Sequence, residues 1–130
     1  MEGNNKYKDF TELDAWKLAH GLRTKVNILC KFLPDYKKYN VIDQIRRSSS
    51  SVAANITEGH GRFHFQENIQ FCRQARGSLS ETKDHLIFIK DLNYIKKVSS
   101  VEHLIELCEK TNKKLNGYIA YLKKCKQNEN

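Results

Sequence analysis

Apolar residues recur along most of the chain at alternating intervals of three and four positions. This spacing places side chains on one face of an α-helix, and polar stretches divide the pattern into four segments. The first predicted helix opens at Thr11, a candidate N-cap, and ends at Pro34, which cannot continue a helix. Its apolar positions are Leu13, Trp16, Ala19, Leu22, Val26, Leu29 and Leu33.

The polar loop DYKKYN leads to the second predicted helix, and the third runs from about Phe65 to Leu92. Their apolar stripes contain Ile42, Ile45, Ser49, Val52 and Ile56 in the second helix, and Phe65, Ile69, Cys72, Ala75, Leu79, Thr82, Leu86 and Ile89 in the third. Ser99 and Glu102 are spaced as a capping box for the fourth helix. Its stripe is Val101, Leu104, Cys108, Thr111, Leu115, Tyr118 and Leu122.

Four amphipathic helices with short connections predict an all-α fold, an antiparallel up-down-up-down four-helix bundle. The length fits a single domain over residues 1–130, with its core between about 10 and 125. No apolar run approaches the roughly 20 residues of a membrane span, and no secretory signal is visible. A cytoplasmic protein with no membrane partner is therefore expected. The four separated cysteines predict reduced thiols, with Cys72 and Cys108 in the core.

The chain is strongly basic, with 23 Lys and Arg against 15 Asp and Glu, a net charge of +8. This charge predicts attraction to polyanions such as RNA, DNA or an acidic protein. The alternative is that the lysines only solvate helix faces, as the tail YLKKCKQNEN suggests. Charge alone leaves both interpretations open.

Five arginines are candidates for binding phosphate groups. Arg46 and Arg47 lie off the apolar stripe of the second helix, and Arg73 and Arg76 share one face of the third. Together with Arg62 they could form a phosphate-binding patch, because the planar guanidinium fork suits phosphate. The alternative is pairing with carboxylates of the same chain. The candidates for that pairing are Glu58, Glu67, Glu81 and Asp84.

The segment EGHGR carries a G-x-G pattern, but it follows a predicted helix rather than a strand. Gly59 and Gly61 therefore fit a helix C-terminus better than a dinucleotide-binding turn. Asn55, Glu58 and Arg62 are expected to form a polar cluster that fixes the turn into the third helix. Within it, Glu58 and Arg62 are the predicted ion pair.

Two further features concern packing. Gly77 lies inside the third helix, where glycine is less favourable than alanine by about 1 kcal/mol. Close approach of a neighbouring backbone would explain the glycine at this position.

A second apolar flank, which includes Phe71 and Phe88 on the third helix and Ile105 and Ile119 on the fourth, favours self-association.

No constellation typical of catalysis or metal binding is present in the sequence. The serine run at residues 48–51 has no base nearby, since His60 and His64 lie a helical turn or more away. No paired carboxylates are found, and no histidine or cysteine spacing indicates a metal site. We therefore predict a non-enzymatic protein with no catalytic residue, no metal and no cofactor.

Several segments between residues 10 and 122 carry a family resemblance. They are LDAW, FLP, QIRR, SVAANITEGHGR, FCRQARGSLSE and LNYI, of which N-I-x-E-G-x-G-R and A-R-G-S are the most specific. The chain resembles the intervening-sequence proteins, which are encoded within insertions in bacterial large-subunit ribosomal RNA genes. A related member of the same superfamily is the accessory variability determinant of diversity-generating retroelements.

The resemblance implies an antiparallel four-helix bundle, a ring-like homopentamer and a basic surface. In the retroelement branch that surface engages a reverse transcriptase and its template RNA, and no enzymatic activity is established in the intervening-sequence branch. The motif residues are Arg46, Arg47, Asn55, Glu58, Gly59, Gly61, Arg62, Arg76, Gly77 and Ser78. This chain departs from the family pattern at Phe63 and His64, where Ser or Thr is frequent.

The leading prediction is a homo-oligomeric helical bundle that binds nucleic acid through an arginine-rich surface, with structured RNA favoured over DNA. The alternative is an interaction adaptor that docks a reverse transcriptase in a diversity-generating retroelement.

Overall fold

The computed structural model describes residues 5–34 and 38–129, so part of the predicted loop DYKKYN lies outside the described residues. Four helices make up the fold: α1 (Asp14–Cys30), α2 (Asp43–His60), α3 (Phe65–Asp91) and α4 (Val98–Asn128). A turn of 3-10 helix, Phe10–Glu12, precedes α1, and a turn of π-helix, Lys38–Ile42, leads into α2. The described residues contain no strand.

The helices pack in chain order around one core. Both α1 and α3 lie against α2 and α4, so α1 and α3 are diagonal to each other. Contacts between α3 and α4 give their relative direction. Gln66 meets Lys126 at one end, and Lys90 meets Glu102 at the other. The two helices are therefore antiparallel, and the predicted up-down-up-down bundle is confirmed.

The predicted apolar stripes form the core, because the three-and-four spacing keeps these side chains on the inner face of each helix. Leu22, Ile45, Leu86 and Leu115 are completely inaccessible to solvent. The hydroxyl-bearing members of the stripes are buried as well, and Thr111 Oγ1 donates to the carbonyl of the preceding turn, so burial leaves it satisfied. The free thiols of Cys72 and Cys108 are buried as predicted, and burial raises the pKa of each to about 12.

Two predicted helix caps are wrong. Thr11 lies within the 3-10 turn, and α1 begins only at Asp14. The Glu12 carboxylate accepts hydrogen bonds from the backbone N–H groups of residues 8 and 9, which stabilises the 3-10 turn ahead of α1. Helix α4 begins at Val98, so Ser99 lies inside its first turn rather than at the cap. Spacing alone identifies both hydroxyls correctly as near a helix start, but not the residue at which the backbone becomes helical.

The segment before α1 packs on the C-terminal half of α4. Tyr7 contacts the rings of Tyr118 and Tyr121 edge-on, at centroid distances of 6.0 and 5.6 Å. The Tyr118 hydroxyl accepts hydrogen bonds from Asn5 and from buried Asn68, at 2.9 and 3.1 Å. Burial raises the pKa of Tyr118 to about 12. These contacts tie the start of the described chain to the bundle.

Close packing of two helices uses Gly59 rather than Gly77. A Cβ atom at Gly59 would lie 2.7 Å from Asn68 Oδ1 and 2.9 Å from Phe71 Cβ, so α3 approaches α2 where only glycine fits. A Cβ atom at Gly77 would meet nothing within 4 Å, which shows that the predicted close contact at Gly77 is wrong. The predicted helix stop is Gly61, which is the C-cap of α2, whereas Gly59 lies inside the helix.

Candidate nucleic-acid interface

The five predicted arginines do not share one surface. Arg46 is only partly exposed and lies on α2 close to the buried Cys30 thiol of α1. Burial raises the pKa of Cys30, and the guanidinium only partly offsets that rise. Arg46 Nε is itself buried and has no hydrogen-bond partner among the described residues. The neighbouring Arg47 is exposed on the outer side of α2.

Arg62 stabilises the turn between α2 and α3. It forms an ion pair of 2.7 Å with Glu58, as predicted, and a longer one of 3.8 Å with Glu67. The guanidinium carbon also lies 5.0 Å from the centroid of the Phe71 ring. Two carboxylates therefore neutralise Arg62, and intramolecular pairing is the interpretation that holds at this position.

Short hydroxyl side chains join α2 to α3. Ser51 Oγ and Ser78 Oγ lie 2.9 Å apart, and Ser48 Oγ and Thr82 Oγ1 are separated by the same distance. We refer to these four residues as the hydroxyl seam. Asn55 donates to the Ser51 carbonyl and hydroxyl, each at 2.9 Å. Asn55 therefore supports the hydroxyl seam, and its predicted place in a cluster with Glu58 and Arg62 is wrong.

Long polar side chains bridge α3 and α4 on the other side of α3. Four contacts cross this α3–α4 seam, two to neutral amides and two to carboxylates. In order along α3 they are Gln66–Lys126 (2.6 Å), Arg76–Asn116 (2.8 Å), Lys83–Glu109 (3.1 Å) and Lys90–Glu102 (3.2 Å). The half near the end of α4 is therefore cationic, and the half near its start is balanced.

Arg73 and Lys123 extend the cationic half. Each lies three residues before a cation that crosses the seam, Arg76 and Lys126, so each shares a helix face with it. We refer to Arg73, Arg76, Lys123 and Lys126 as the basic face. None of the four forms an ion pair with a carboxylate of residues 5–34 or 38–128.

The structure thus keeps two of the predicted arginines, Arg73 and Arg76, in one basic surface and adds two lysines. Lys123 and Lys126 belong to the tail for which simple solvation of a helix face is the alternative prediction. The sequence feature that could have indicated these two lysines is the excess of positive charge in the second half of α4. From Lys110 to Asn128, α4 contains six lysines and no acidic residue. Nothing in the linear sequence indicates that they lie beside Arg73 and Arg76.

Other kinds of site find no support in the described part of the chain. Residues 5–34 and 38–129 contain no group of three or more His, Cys, Asp and Glu side chains that could hold a metal ion. Within the same ranges, no helix combines the length and apolar character needed to cross a membrane.

Comparisons with known proteins agree with this architecture. A solved structure described as a protein with unknown function from the S23 ribosomal protein family of Bacteroides thetaiotaomicron superposes with a TM-score of 0.74. It is 24% identical and covers 81% of this chain and 97% of its own length, a likeness that shows the shared fold. Among curated proteins, none matches the sequence. The family model for the 23S rRNA-intervening sequence protein matches residues 11–117, and the chain therefore belongs to that family.

Proposed function

We propose that this protein binds structured RNA through the basic face and does so without catalysing a reaction. The observation that carries the proposal is the placement of Arg73, Arg76, Lys123 and Lys126 along the cationic half of one helix seam. The family name refers to ribosomal RNA, which favours RNA over other polyanions as the ligand.

The amide partners of the seam suit phosphate binding. Asn116 Oδ1 accepts one hydrogen bond from Arg76 Nη1 and carries no charge. The arginine is therefore held in position while its full charge and its other N–H donors remain for a ligand. Gln66 holds Lys126 in the same way. Such cations bind phosphate with a smaller loss of side-chain freedom than mobile ones.

The basic face favours recognition of RNA shape and charge over recognition of bases. Base stacking needs accessible aromatic rings, and the basic face consists of lysine and arginine side chains alone. The exposed phenylalanines of the described residues, Phe32, Phe63 and Phe88, are not members of it. The cationic half of the seam extends along α3 from Gln66 to Arg76, an interval of ten residues or about 15 Å of helix. That length suits several backbone phosphates, which position a nucleic acid without reading its sequence.

Assembly into a ring would strengthen this binding. The resemblance implies a homopentamer, and each subunit carries a net charge of +8. Weak phosphate contacts on neighbouring subunits would then act together on one RNA molecule, because binding of the second site becomes intramolecular. The expected result is high avidity with little sequence preference.

The test is the affinity of the nuclease-treated protein for an RNA hairpin across a salt series. Arg76→Gln/Lys126→Gln removes two cations from the basic face, and Lys83→Gln/Lys90→Gln removes two from the balanced half of the same seam. We expect the first variant to bind about tenfold more weakly, with a salt slope smaller by about two units. The second should change affinity by less than about threefold.

Two outcomes would contradict the proposal. Absence of RNA binding by the wild-type protein at low salt would mean that its charge serves another purpose, such as docking an acidic protein. Equal weakening in the two variants would mean that overall charge, rather than the basic face, attracts the RNA.

A further inference from the structure

A second candidate site lies at the opposite end of the bundle from the basic face. An open cavity of about 850 Å³ separates the end of α1 from the α3–α4 loop and the first turn of α4. We propose that this cavity binds a small amphipathic anion, a molecule with an apolar body and a carboxylate at one end. The inference stands independently of RNA binding, because it uses none of the residues of the basic face.

The wall on the α1 side is apolar and is open to solvent. Ile28 and Phe32 keep 55% and 71% of their surface exposed. Each precedes a buried stripe residue, Leu29 or Leu33, with Ile28 in the last turn of α1 and Phe32 in the turn that follows the helix. Large exposed apolar side chains that lie together mark a surface that is covered by a ligand or partner.

The charged side chains around the cavity carry one sign. Lys25, Lys96 and Lys97 line it together with His103 and the hydroxyls of Ser99 and Ser100, and no Asp or Glu among residues 5–34 and 38–129 does. The three lysines form no ion pair with a carboxylate of the described residues. An anionic group on the ligand would complement these cations and accept hydrogen bonds from the hydroxyls.

The two walls together select the class of ligand. Free phosphate would leave the apolar wall exposed, and a neutral lipid would leave the lysines without a partner. The cavity volume lies inside the range of roughly 300–1,000 Å³ that is typical of small-molecule sites. The cavity is therefore large enough for a small organic ligand. A fatty carboxylate meets both requirements, because its chain covers Ile28 and Phe32 while its head reaches the lysines.

The experiment measures binding of dodecanoate and of dodecanol to the full chain by calorimetry, below the micelle threshold of either molecule. We expect saturable binding of dodecanoate and binding of the alcohol about tenfold weaker, since only the carboxylate meets the lysines. Lys96→Gln/Lys97→Gln should weaken dodecanoate about tenfold and leave the alcohol unchanged. Lys113→Gln/Lys114→Gln is the matched control, an adjacent and exposed lysine pair farther along α4 that belongs neither to the cavity nor to the basic face, and should change neither.

A third variant tests the apolar wall. Phe32→Gln replaces a side chain that is already 71% exposed, so the bundle should keep its helix content and lose affinity for both ligands. The proposal is overturned if wild-type protein shows no saturable dodecanoate binding, or if the two lysine variants weaken it equally. It is also overturned if Phe32→Gln leaves dodecanoate binding intact while dissociating an oligomer in sedimentation, which would show that a second copy covers the cavity.

Discussion

The two sides of α3 contact their neighbours with opposite kinds of side chain. Towards α2, the contacts are made by short uncharged residues, the hydroxyl seam and Gly59. Towards α4, they are made by long side chains, and each of the four contacts includes a lysine or an arginine. Short side chains permit close approach of two helices, whereas long ones keep charge at the surface while spanning the gap between helices.

This difference separates packing from binding within one helix. Ser78 and Gly59, two residues of the motif on which the predicted resemblance rests, lie where α3 packs against α2. Arg76, a motif residue a short distance along the chain, points instead to α4 and reaches Asn116. Residues that are neighbours in the motif therefore serve different purposes, because helical rotation directs them to different sides of α3.

Alanine at Gly59 is expected to have the largest effect on stability. The added Cβ would lie 2.7 Å from Asn68 Oδ1 and 3.1 Å from the Asn68 carbonyl oxygen, so α2 and α3 must move apart. We expect Gly59→Ala to lower the free energy of unfolding by about 2 kcal/mol in denaturant titrations, even after the gain in helix propensity. An unchanged midpoint would show that the α2–α3 contact is looser than the structure indicates.

Carboxylates introduced into the cationic half should abolish its difference from the balanced half. Gln66→Glu/Asn116→Asp keeps the size of both side chains and gives Lys126 and Arg76 acidic partners. We expect RNA affinity to fall about tenfold, because two cations become paired, while the free energy of unfolding changes by less than about 1 kcal/mol. Glu102→Gln/Glu109→Gln is the reciprocal control and should not weaken RNA binding. Unchanged affinity in the first variant would remove the basic face from the interface.

Loss of a hydroxyl should affect only the packing side. Thr82→Val keeps the shape of a completely buried side chain and removes its hydrogen bond to Ser48. The expected loss is about 1 kcal/mol of unfolding free energy, measured by denaturant titration. RNA affinity should stay at the wild-type value, and a parallel loss of affinity would mean that the two sides of α3 are coupled.

Alanine at Gly77 should have the smallest effect and the opposite sign. No atom lies within 4 Å of the added Cβ, and the position is exposed in the middle of α3. Gly77→Ala is expected to raise the free energy of unfolding by up to about 1 kcal/mol, through helix propensity alone. A decrease that depends on protein concentration would instead place Gly77 in a contact between subunits.

The fold could be predicted from the sequence because burial in a bundle follows helical period. Ile45 and Leu86 are assigned to the core by their spacing from the next apolar residue alone, and the structure buries both completely. The Glu58–Arg62 ion pair could be predicted as well, because the two opposite charges lie four positions apart, although Arg62 follows the end of α2. The residues at which helices begin were harder to predict, as Thr11 and Ser99 show, because several nearby polar residues can satisfy the first N–H groups of a helix.

The four helices, their inward faces and the excess of positive charge follow from local sequence, since each depends on residues close together in the chain. Which charges remain unpaired and which glycine is needed depend instead on contacts between helices. Arg62 and Arg76 are equal candidates for phosphate binding in the sequence. In the structure, two carboxylates neutralise Arg62, whereas a neutral amide holds Arg76. That distinction depends on the register of one helix against another, which is set by packing between residues far apart in the chain.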